Sequence, residues 1–314
     1  MESSELDYDL PTELIAQRPA ARRDDSRLLV YERTTGRIAH RCFSELPAEV
    51  EPAALVVVND TRVLPARLRL RRPTGGAVEL LLLEQAGRDG IWEALARPTD
   101  RLRAGQRLGH VKLLEPLGAG RWRIRVEGPV QGETPLPPYI TEPLMEPERY
   151  QTVYAARDGS AAAPTAGLHF TPELLARFDV ERVTLHVGLD TFRPVRAVDL
   201  SRHHLHGERY EVKFTAWERI RGARHVLAVG TTSVRVIESL ARGAPLEGRT
   251  ELFVQPGFEF RRVDSLLTNF HLPRSTLLAL VMAFAGVQEV RQLYQLAIEE
   301  RYRFYSFGDA MLIR

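Results

Sequence analysis

The sequence has a single cysteine, Cys42, among its 314 residues. Because a disulfide bond needs two cysteines, no bridge can form within the chain, and we expect a reducing, cytoplasmic location. The acidic N-terminus lacks the apolar stretch of a secretory signal. The longest apolar run, from Leu277 to Ala285, is well short of the ~20 residues that cross a bilayer. We therefore expect a soluble protein without a membrane partner.

Lysine is nearly absent as well. Lys112 and Lys213 are the only two, so arginine supplies almost all of the 43 basic residues. Arginine is the side chain best suited to bidentate phosphate contacts and to stacking on bases. Genomic base composition or adaptation to heat is the simpler explanation of the overall bias, and the formal net charge is only +2. Only local clusters of arginine therefore support an argument for nucleic-acid binding.

Two kinds of hydrophobic periodicity divide the chain. From Leu64 to about Val130 apolar and polar residues alternate with period two and are interrupted by turns, which predicts the short strands of a small β-barrel. Elsewhere helical and strand patterns alternate, which is typical of an α/β fold with a mixed or parallel sheet. We therefore predict an α/β domain made of 1–63 and 150–314, with an inserted β-barrel domain at 64–149. The proline-rich segment 133–139 is predicted to be a stiff connector.

Capping residues and apolar runs locate the elements of the α/β domain. Predicted helices are Leu10 to Gln17 with Thr12 as N-cap, Pro172 to Phe178 after Thr171, Thr215 to Arg224, Ser233 to Ala241, Ser275 to Ala285 and Glu289 to Tyr302. Predicted strands are Arg27 to Tyr31, Ala54 to Val58, Val180 to His186 and His225 to Val229. The second of these strands leads into the polar residues 59–62, at the sheet edge where open α/β folds usually bind ligands.

Five segments in the second half of the chain combine small or special-φ residues with hydrogen-bonding side chains. They are 163–170, 184–194, 229–235, 268–275 and 302–309. Such combinations occur where the backbone approaches a ligand closely and polar groups are aimed at it. One such segment is as easily an ordinary turn, but five within about 150 residues indicate a catalytic site.

The segment Val226 to Glu238 reads as a strand, a tight turn at Gly230 and a helix. The free N–H groups and positive dipole end of such a helix bind phosphate or carboxylate, and Thr231, Thr232 and Ser233 add hydroxyl donors. Simple helix capping is the alternative. The lysine of a Walker loop and the spaced glycines of a dinucleotide fingerprint are both missing. With Arg235 one turn inside the helix, we prefer an anion site.

Histidines are frequent in the same region. Asn269 and His271 alternate in an extended segment that precedes the helix capped by Ser275, so both are predicted to point to one side. His169, His186 and the cluster at 203–206 raise the possibility of a metal site, but no metal-binding helix motif or cysteine cluster accompanies them. We expect acid–base or hydrogen-bonding roles and no metal, while a satisfied core histidine is the alternative for His271.

Arg67, Arg69 and Arg71 alternate with apolar residues on one predicted strand of the barrel, a short distance after Arg62. A solvated strand face explains this stripe as well as phosphate contact does. Basic strands on small barrels often bind nucleic acid through its backbone charges. We assign these four arginines to nucleic-acid binding.

The order of the motifs along the chain and the residues within them resemble those of one family, the S-adenosylmethionine:tRNA ribosyltransferase-isomerases of queuosine biosynthesis. The resemblance runs nearly end to end. It includes Leu10-Pro11 with Leu14 to Ala16, Val58 to Arg67, Leu136 to Ile140, Tyr150 to Tyr154, the five segments above and Tyr302 to Ile313.

The resemblance implies a monomeric enzyme with an α/β domain and an inserted barrel. Its reaction moves the ribosyl part of S-adenosylmethionine onto 7-aminomethyl-7-deazaguanine at the tRNA wobble position, which gives epoxyqueuosine, adenine and methionine. S-adenosylmethionine is then a co-substrate, tRNA is the partner, and no cofactor is implied. Near His186 the family usually carries glycine where this chain has Asp190, and near position 206 it commonly has serine where this chain has Gly207. We expect neither difference to abolish the reaction.

The chemistry of the residues is compatible with that reaction, which needs a base beside the sulfonium, an acid for adenine and donors for anions. We predict catalytic roles for His169, His186, Asn269, His271 and Asp309, without choosing the base among them. We predict co-substrate binding by Gly167, Gly188, Gly230, Thr231, Thr232, Ser233 and Arg235. A metal-dependent hydrolase and a non-catalytic RNA-binding protein remain as alternatives.

Overall fold

A computed structural model describes residues 2–87, 90–188, 199–203, 205 and 207–314 of the chain. Asp190, His204 and His206 lie outside the described residues. The strands are β1 Arg27–Glu32, β2 Arg37–Cys42, β3 Leu55–Asn59, β4 Thr61–Val63, β5 Arg67–Arg71, β6 Ala77–Gln85, β7 Ile91–Arg97, β8 Arg107–Leu108, β9 Val111–Gly118, β10 Arg121–Val126, β11 Arg157–Ser160, β12 Asp179–Leu185, β13 Glu208–Glu211, β14 Val226–Val229, β15 Glu247–Thr250, β16 Ser265–Asn269 and β17 Ala310–Ile313.

The α-helices are α1 Leu46–Glu49, α2 Pro172–Leu175, α3 Phe214–Gly222, α4 Thr231–Leu240, α5 Thr276–Ala285 and α6 Val287–Glu299. Short 3-10 helices include Thr12–Leu14, Arg23–Asp25 and Thr165–His169. The four long helices lie within three residues of their predicted bounds. Thr171 caps α2 as predicted and accepts a hydrogen bond from Leu174 N at 3.1 Å, but that helix is shorter than expected.

A mixed sheet forms the α/β body, in the order β15-β13-β12-β3-β14-β16-β17-β1-β2. Strands β12, β3, β14 and β16 run parallel, and β17 is antiparallel to β16 but parallel to β1. Leu55 and Val57 of β3 pack with helices α3 to α6, whereas Val56 and Val58 pack against α1, α2 and Phe170. Burial on both faces explains the unbroken apolar run of β3.

The predicted barrel is an antiparallel six-stranded sheet in the order β5-β6-β7-β10-β9-β8. Its alternate residues, including Leu80, Ala94, Trp122 and Ile124, enclose a separate hydrophobic core. This confirms the predicted fold class, an α/β body combined with a small β-barrel. The six strands fall inside 64–149, although the domain boundaries themselves stay a prediction.

The prediction of a helix from Leu10 to Gln17 is wrong. Only Thr12–Leu14 is helical, as a 3-10 turn whose N-cap is Pro11 and not Thr12. The backbone of the following residues bonds to Phe304: Ala16 N donates to Phe304 O at 3.2 Å, and Phe304 N donates to Leu14 O at 2.8 Å. Tertiary pairing with a distant segment therefore overrides the local helical preference.

Within the described ranges, no single helix is long and apolar enough to cross a membrane. Helices α5 and α6 reach that length and composition only as a pair, and they meet at an angle of 113°.

Candidate active site

A cavity of about 560 Å³ lies between the barrel and the α/β body. Trp92, Leu95 and Arg121 line it from the barrel, and His186 and Leu280 are among its residues from the body. Its other lining residues include Glu84, Glu93, Asp158, Gly188, Leu205, Glu208, Arg209, Arg235, Arg249, Phe253, Thr276 and Leu277. The volume lies within the range of ~300–1,000 Å³ that is typical of small-molecule sites.

His186 is the predicted catalytic residue that lines this cavity. It follows β12, and its Nδ1 lies 2.8 Å from Oγ1 of Thr61, which is fully buried at the start of β4. A Cβ on Gly159 would come within 2.8 Å of the imidazole, so the glycine lets the ring lie against the backbone. Burial, and to a lesser degree Arg209, lowers the pKa of His186. The ring is therefore held neutral and fixed in orientation.

A buried ion pair between Glu208 and Arg235 lies in the wall of the same cavity. The two side chains are only 9% and 8% exposed, and Nη1 of Arg235 donates to Oε2 of Glu208. Gly188 N donates to Oε1 of Glu208 at 2.8 Å, and Arg235 also donates to the carbonyl oxygens of Thr250 and Leu252. Such a pair is weak evidence for stability, because desolvation offsets its attraction. Charged groups placed in a largely apolar cavity instead favour a polar ligand.

Arg249 of β15 joins the two bodies beside the cavity. Its Nη1 donates to both carboxylate oxygens of Glu84 on β6, at 2.7 and 2.8 Å, and its Nη2 donates to the carbonyl of Gly207. Both side chains of the ion pair are about half exposed. The contact therefore bridges barrel and body at modest energetic gain.

His169 and Asn269 meet in a second, buried cluster. Nδ2 of Asn269 donates to Nε2 of His169 at 3.2 Å, while Nδ1 of His169 lies 2.7 Å from Oγ of Ser26. Asn269 also donates to Tyr305 O and accepts from Oγ1 of Thr165. Burial lowers the pKa of His169 to about 4. Both ring nitrogens thus have protein partners, as expected for a neutral histidine that holds segments together.

His271 and Asp309 also have internal partners. Nε2 of His271 lies 2.7 Å from Oγ1 of Thr268, and burial lowers its pKa to about 3. Asp309 accepts hydrogen bonds from the backbone N–H of Arg27 and of Arg303, at 3.0 and 2.8 Å. Neither residue lines the cavity with His186. The predicted catalytic residues therefore form two groups, and catalytic roles for the buried group stay a prediction.

The turn before α4 has the predicted geometry, with Gly230 at φ +83° as the N-cap of the helix. Oγ of Ser233 donates to Val229 O at 2.8 Å, and Oγ1 of Thr232 accepts from Nδ2 of Asn59 at 3.1 Å. Thr231 is also buried. Arg235 points away from this turn and pairs with Glu208. The start of α4 and the Arg235 side chain, which the sequence analysis combined into one anion site, are therefore separate in the fold. Anion binding at this helix end stays a prediction.

Gly167 lies against a side chain of the protein itself. A Cβ at this position would lie 1.8 Å from the hydroxyl oxygen of Tyr154. The close approach that suggested a ligand contact is therefore made by Tyr154.

The four arginines assigned to nucleic acid all have partners. Arg62 pairs with Glu148 at 2.7 Å, Arg69 with Glu133 at 3.1 Å, and Arg67 approaches Glu79 at 4.0 Å. Nη1 of Arg71 donates to Gly75 O at 3.2 Å. Nucleic-acid binding by this stripe stays a prediction, but the carboxylates offset much of its charge.

Sequence reasoning assigned no site role to several residues of the cavity. Glu208 is one of them, and Thr61, which contacts His186 beside the cavity, was noted only as part of the polar segment after β3. Nothing in the sequence indicates that Glu84 and Arg249 meet, because 165 positions separate them. Among the described residues, no group of three or more His, Cys, Asp or Glu side chains could hold a metal ion.

Comparison with known proteins agrees with the resemblance of the motifs. The family model described as "Queuosine biosynthesis protein" matches residues 3–313. The S-adenosylmethionine:tRNA ribosyltransferase-isomerase of Rubrobacter xylanophilus is 54% identical, over 100% of this chain and 98% of the relative. The enzyme of the same name from Symbiobacterium thermophilum is 49% identical over the full length of both chains.

A solved structure is also similar. The crystal structure of S-adenosylmethionine tRNA ribosyltransferase from Thermotoga maritima aligns with a TM-score of 0.58 and 38% identity, covering 99% of this chain and 100% of that one. The expected family is confirmed by the family model and these relatives together: the chain belongs to the queuosine biosynthesis family.

Proposed function

We propose that the cavity between barrel and body is where this enzyme, an S-adenosylmethionine:tRNA ribosyltransferase-isomerase, carries out its reaction. The ribosyl part of S-adenosylmethionine passes to 7-aminomethyl-7-deazaguanine at the wobble position of tRNA, and adenine and methionine leave. Relatives that are about half identical over their whole length support the reaction. The observation that supports the location is that His186 and the buried Glu208–Arg235 pair line one cavity.

In this proposal His186 is the general base that removes a proton from the carbon beside the sulfonium. Thr61 has one hydroxyl proton and two acceptors nearby, Nδ1 of His186 at 2.8 Å and the carbonyl of Arg157 at 3.5 Å. When the hydroxyl points to Arg157, Nδ1 carries the ring proton and donates to Thr61. Nε2 then has its lone pair free for the substrate. The lowered pKa keeps the ring in this neutral form at pH 7.

Glu208 and Arg235 are suited to the methionine part of the co-substrate, which carries an ammonium and a carboxylate group. The guanidinium has five N–H donors, and the protein uses three of them. The co-substrate carboxylate can therefore accept from Arg235 without displacing Glu208. Gly167, Gly230, Thr231, Thr232 and Ser233 do not line the cavity, so any contact they make with the co-substrate lies elsewhere.

The reaction needs proton transfer and charge stabilisation, and side chains supply both. We therefore propose that it proceeds without a metal or redox cofactor. We further propose that the enzyme acts as a monomer in the cytoplasm, where its tRNA substrate is found.

The test is transfer of label from S-adenosylmethionine, marked in the ribosyl carbons, to tRNA that carries the deazaguanine precursor. We expect one equivalent each of adenine and methionine per labelled nucleotide, with equal rates in the presence of a chelator. Loss of transfer with chelator and its recovery with zinc would contradict the metal-free reaction. Binding of tRNA without any transfer would favour an RNA-binding protein instead.

A further inference from the structure

On the outer face of strands β9 and β10, two of the described basic side chains have no acidic partner, Lys112 and Arg125. Within the described residues no carboxylate lies within 4.0 Å of either, whereas Arg107, Arg121 and Arg123 pair with Glu127, Glu93 and Glu115. We call Arg107, Lys112 and Arg125 the distal basic face.

The register of the barrel brings these three side chains together. Arg125 of β10 lies directly opposite Lys112 of β9, and Lys112 lies directly opposite Arg107 of β8. Like charges in directly opposite positions destabilise a sheet. Burial does not explain the arrangement, because Arg107 and Arg125 are exposed and Lys112 is partly exposed. An anionic ligand on this face would remove the repulsion.

The distal basic face continues from the cavity. Arg121, Arg123 and Arg125 alternate on β10 with the core residues Trp122 and Ile124, so the three arginines share the outer face. Arg121 lines the cavity. At ~3.4 Å per residue, Arg125 lies about 14 Å farther along the strand. A polyanion with one residue in the cavity therefore reaches this face by following β10.

We propose that the distal basic face binds the phosphate backbone of the tRNA anticodon stem while the wobble nucleotide occupies the cavity. The inference rests on the proposed function, which places that nucleotide in the cavity. Fully described strands β7 and β10 have no aromatic side chain on their outer face, where Ile91, Glu93 and Leu95 lie opposite the arginines. These strands therefore offer no aromatic ring for base stacking, and we expect the contact to depend on charge rather than sequence.

The experiment measures the affinity of unmodified tRNA, without S-adenosylmethionine, at a series of salt concentrations. The double variant Lys112→Gln with Arg125→Gln should lower the slope of log K against log salt by about 1.4 to 1.8, since each phosphate contact contributes about 0.7 to 0.9. The matched control is Arg37→Gln with Arg301→Gln, which removes the same charge from two exposed positions of the α/β body and should leave the slope nearly unchanged. An isolated anticodon stem-loop should reproduce the difference, and a single-stranded RNA of the loop sequence should not.

An unchanged slope in the first variant overturns the proposal, as does an equal loss of slope in the control. A slope change with tRNA but not with the stem-loop overturns the assignment to the anticodon stem. The rate of ribosyl transfer at saturating tRNA should be unaffected by Lys112→Gln with Arg125→Gln. Because binding is measured without the co-substrate, failure of the ribosyl transfer itself would leave this readout intact.

Discussion

His186 and His169 are alike in sequence context but differ in what surrounds them. Each follows a small or apolar residue in a glycine-containing segment, yet His169 uses both ring nitrogens inside the protein, whereas His186 lines a cavity. Under the proposed function, the partners of the ring nitrogens, and not the neighbours in sequence, distinguish the base from a histidine with a structural role. No pattern along the chain contains that difference.

Replacement of the two histidines should therefore have opposite signatures. We expect His186→Gln to lower the rate of transfer by about 100-fold or more at unchanged stability, since a positioned general base typically contributes this much. His169→Gln should mainly lower the free energy of unfolding, because it breaks contacts with Ser26 and Asn269. Single-turnover rates and urea titrations of both variants check this. A large rate loss in a stable His169→Gln protein would restore His169 as a catalytic residue.

Thr61 is expected to act through His186 as a positioning residue. Thr61→Val keeps the shape of the side chain but removes the acceptor for Nδ1, so the protonated nitrogen loses its partner and the ring its orientation. We expect kcat to fall about 10-fold or more with little change in KM. Thr61→Ser retains the hydroxyl and should restore most of the rate. Equal pH–rate profiles and equal kcat in Thr61→Val and the parent would show that Thr61 only fills space.

At the scale of the elements, the side chain of Asn59 in β3 links four of them. Its Oδ1 accepts from the backbone N–H of Leu185 and of Thr61, and its Nδ2 donates to Leu185 O and to Oγ1 of Thr232. Strands β3, β4 and β12 and the start of α4 therefore share one fully buried amide. The sequence indicated a ligand contact at this strand end, and the structure shows a structural bond network there.

Two variants distinguish a structural role of that network from anion binding at the start of α4. Asn59→Leu leaves several buried polar groups unpaired and should cost about 3 kcal/mol or more of stability, at ~1–3 kcal/mol for each unsatisfied group. Thr232→Val removes one of the four bonds and should cost about 1 kcal/mol, with transfer kinetics unchanged. Chemical denaturation and steady-state kinetics measure both effects. A rate loss in Thr232→Val at unaltered stability would instead support anion binding at the start of α4.

Long elements were predictable and short ones were not. Strand β3 and helices α4 to α6 follow from apolar runs, period and capping, because each satisfies its own backbone and buries an extended face. The segment around Thr12–Leu14 could not be predicted, since Phe304 supplies its hydrogen bonds. The cavity could not be predicted from the sequence for the same reason. Its lining residues Glu84, His186 and Arg249 belong to different elements, and only tertiary packing brings them together.

For the molecule as a whole, the buried histidines predict an acid-sensitive stability. Burial lowers the pKa of His169 to about 4 and of His271 to about 3, below the value of about 6.5 in an unfolded chain. The unfolded state therefore binds more protons, so stability is fully present above pH 6.5. It is lost as the pH falls toward 4 and 3.

When the pH falls from 7 to 5, these two histidines become protonated in the unfolded state. Each should thereby lower the free energy of unfolding by about 2 kcal/mol. Urea titrations at both pH values measure the loss, and His169→Gln should reduce it by roughly half. A free energy of unfolding that is the same at pH 7 and pH 5 would mean that the rings are accessible to protons in the folded state.

The two connections of the barrel lie side by side, and this governs how the molecule can move. Arg67 at the start of β5 and Glu133 after the barrel exchange backbone hydrogen bonds of 3.0 and 2.9 Å, so chain entry and chain exit form one narrow pivot. A body attached along one line rotates about that line with little change in backbone angles elsewhere. Besides packing of β6 on β11, the exposed Glu84–Arg249 pair restrains such rotation, and it contributes only about 0 to 1 kcal/mol. We therefore expect rotation about this hinge to change the width of the cavity, and high salt to weaken the restraint from the ion pair.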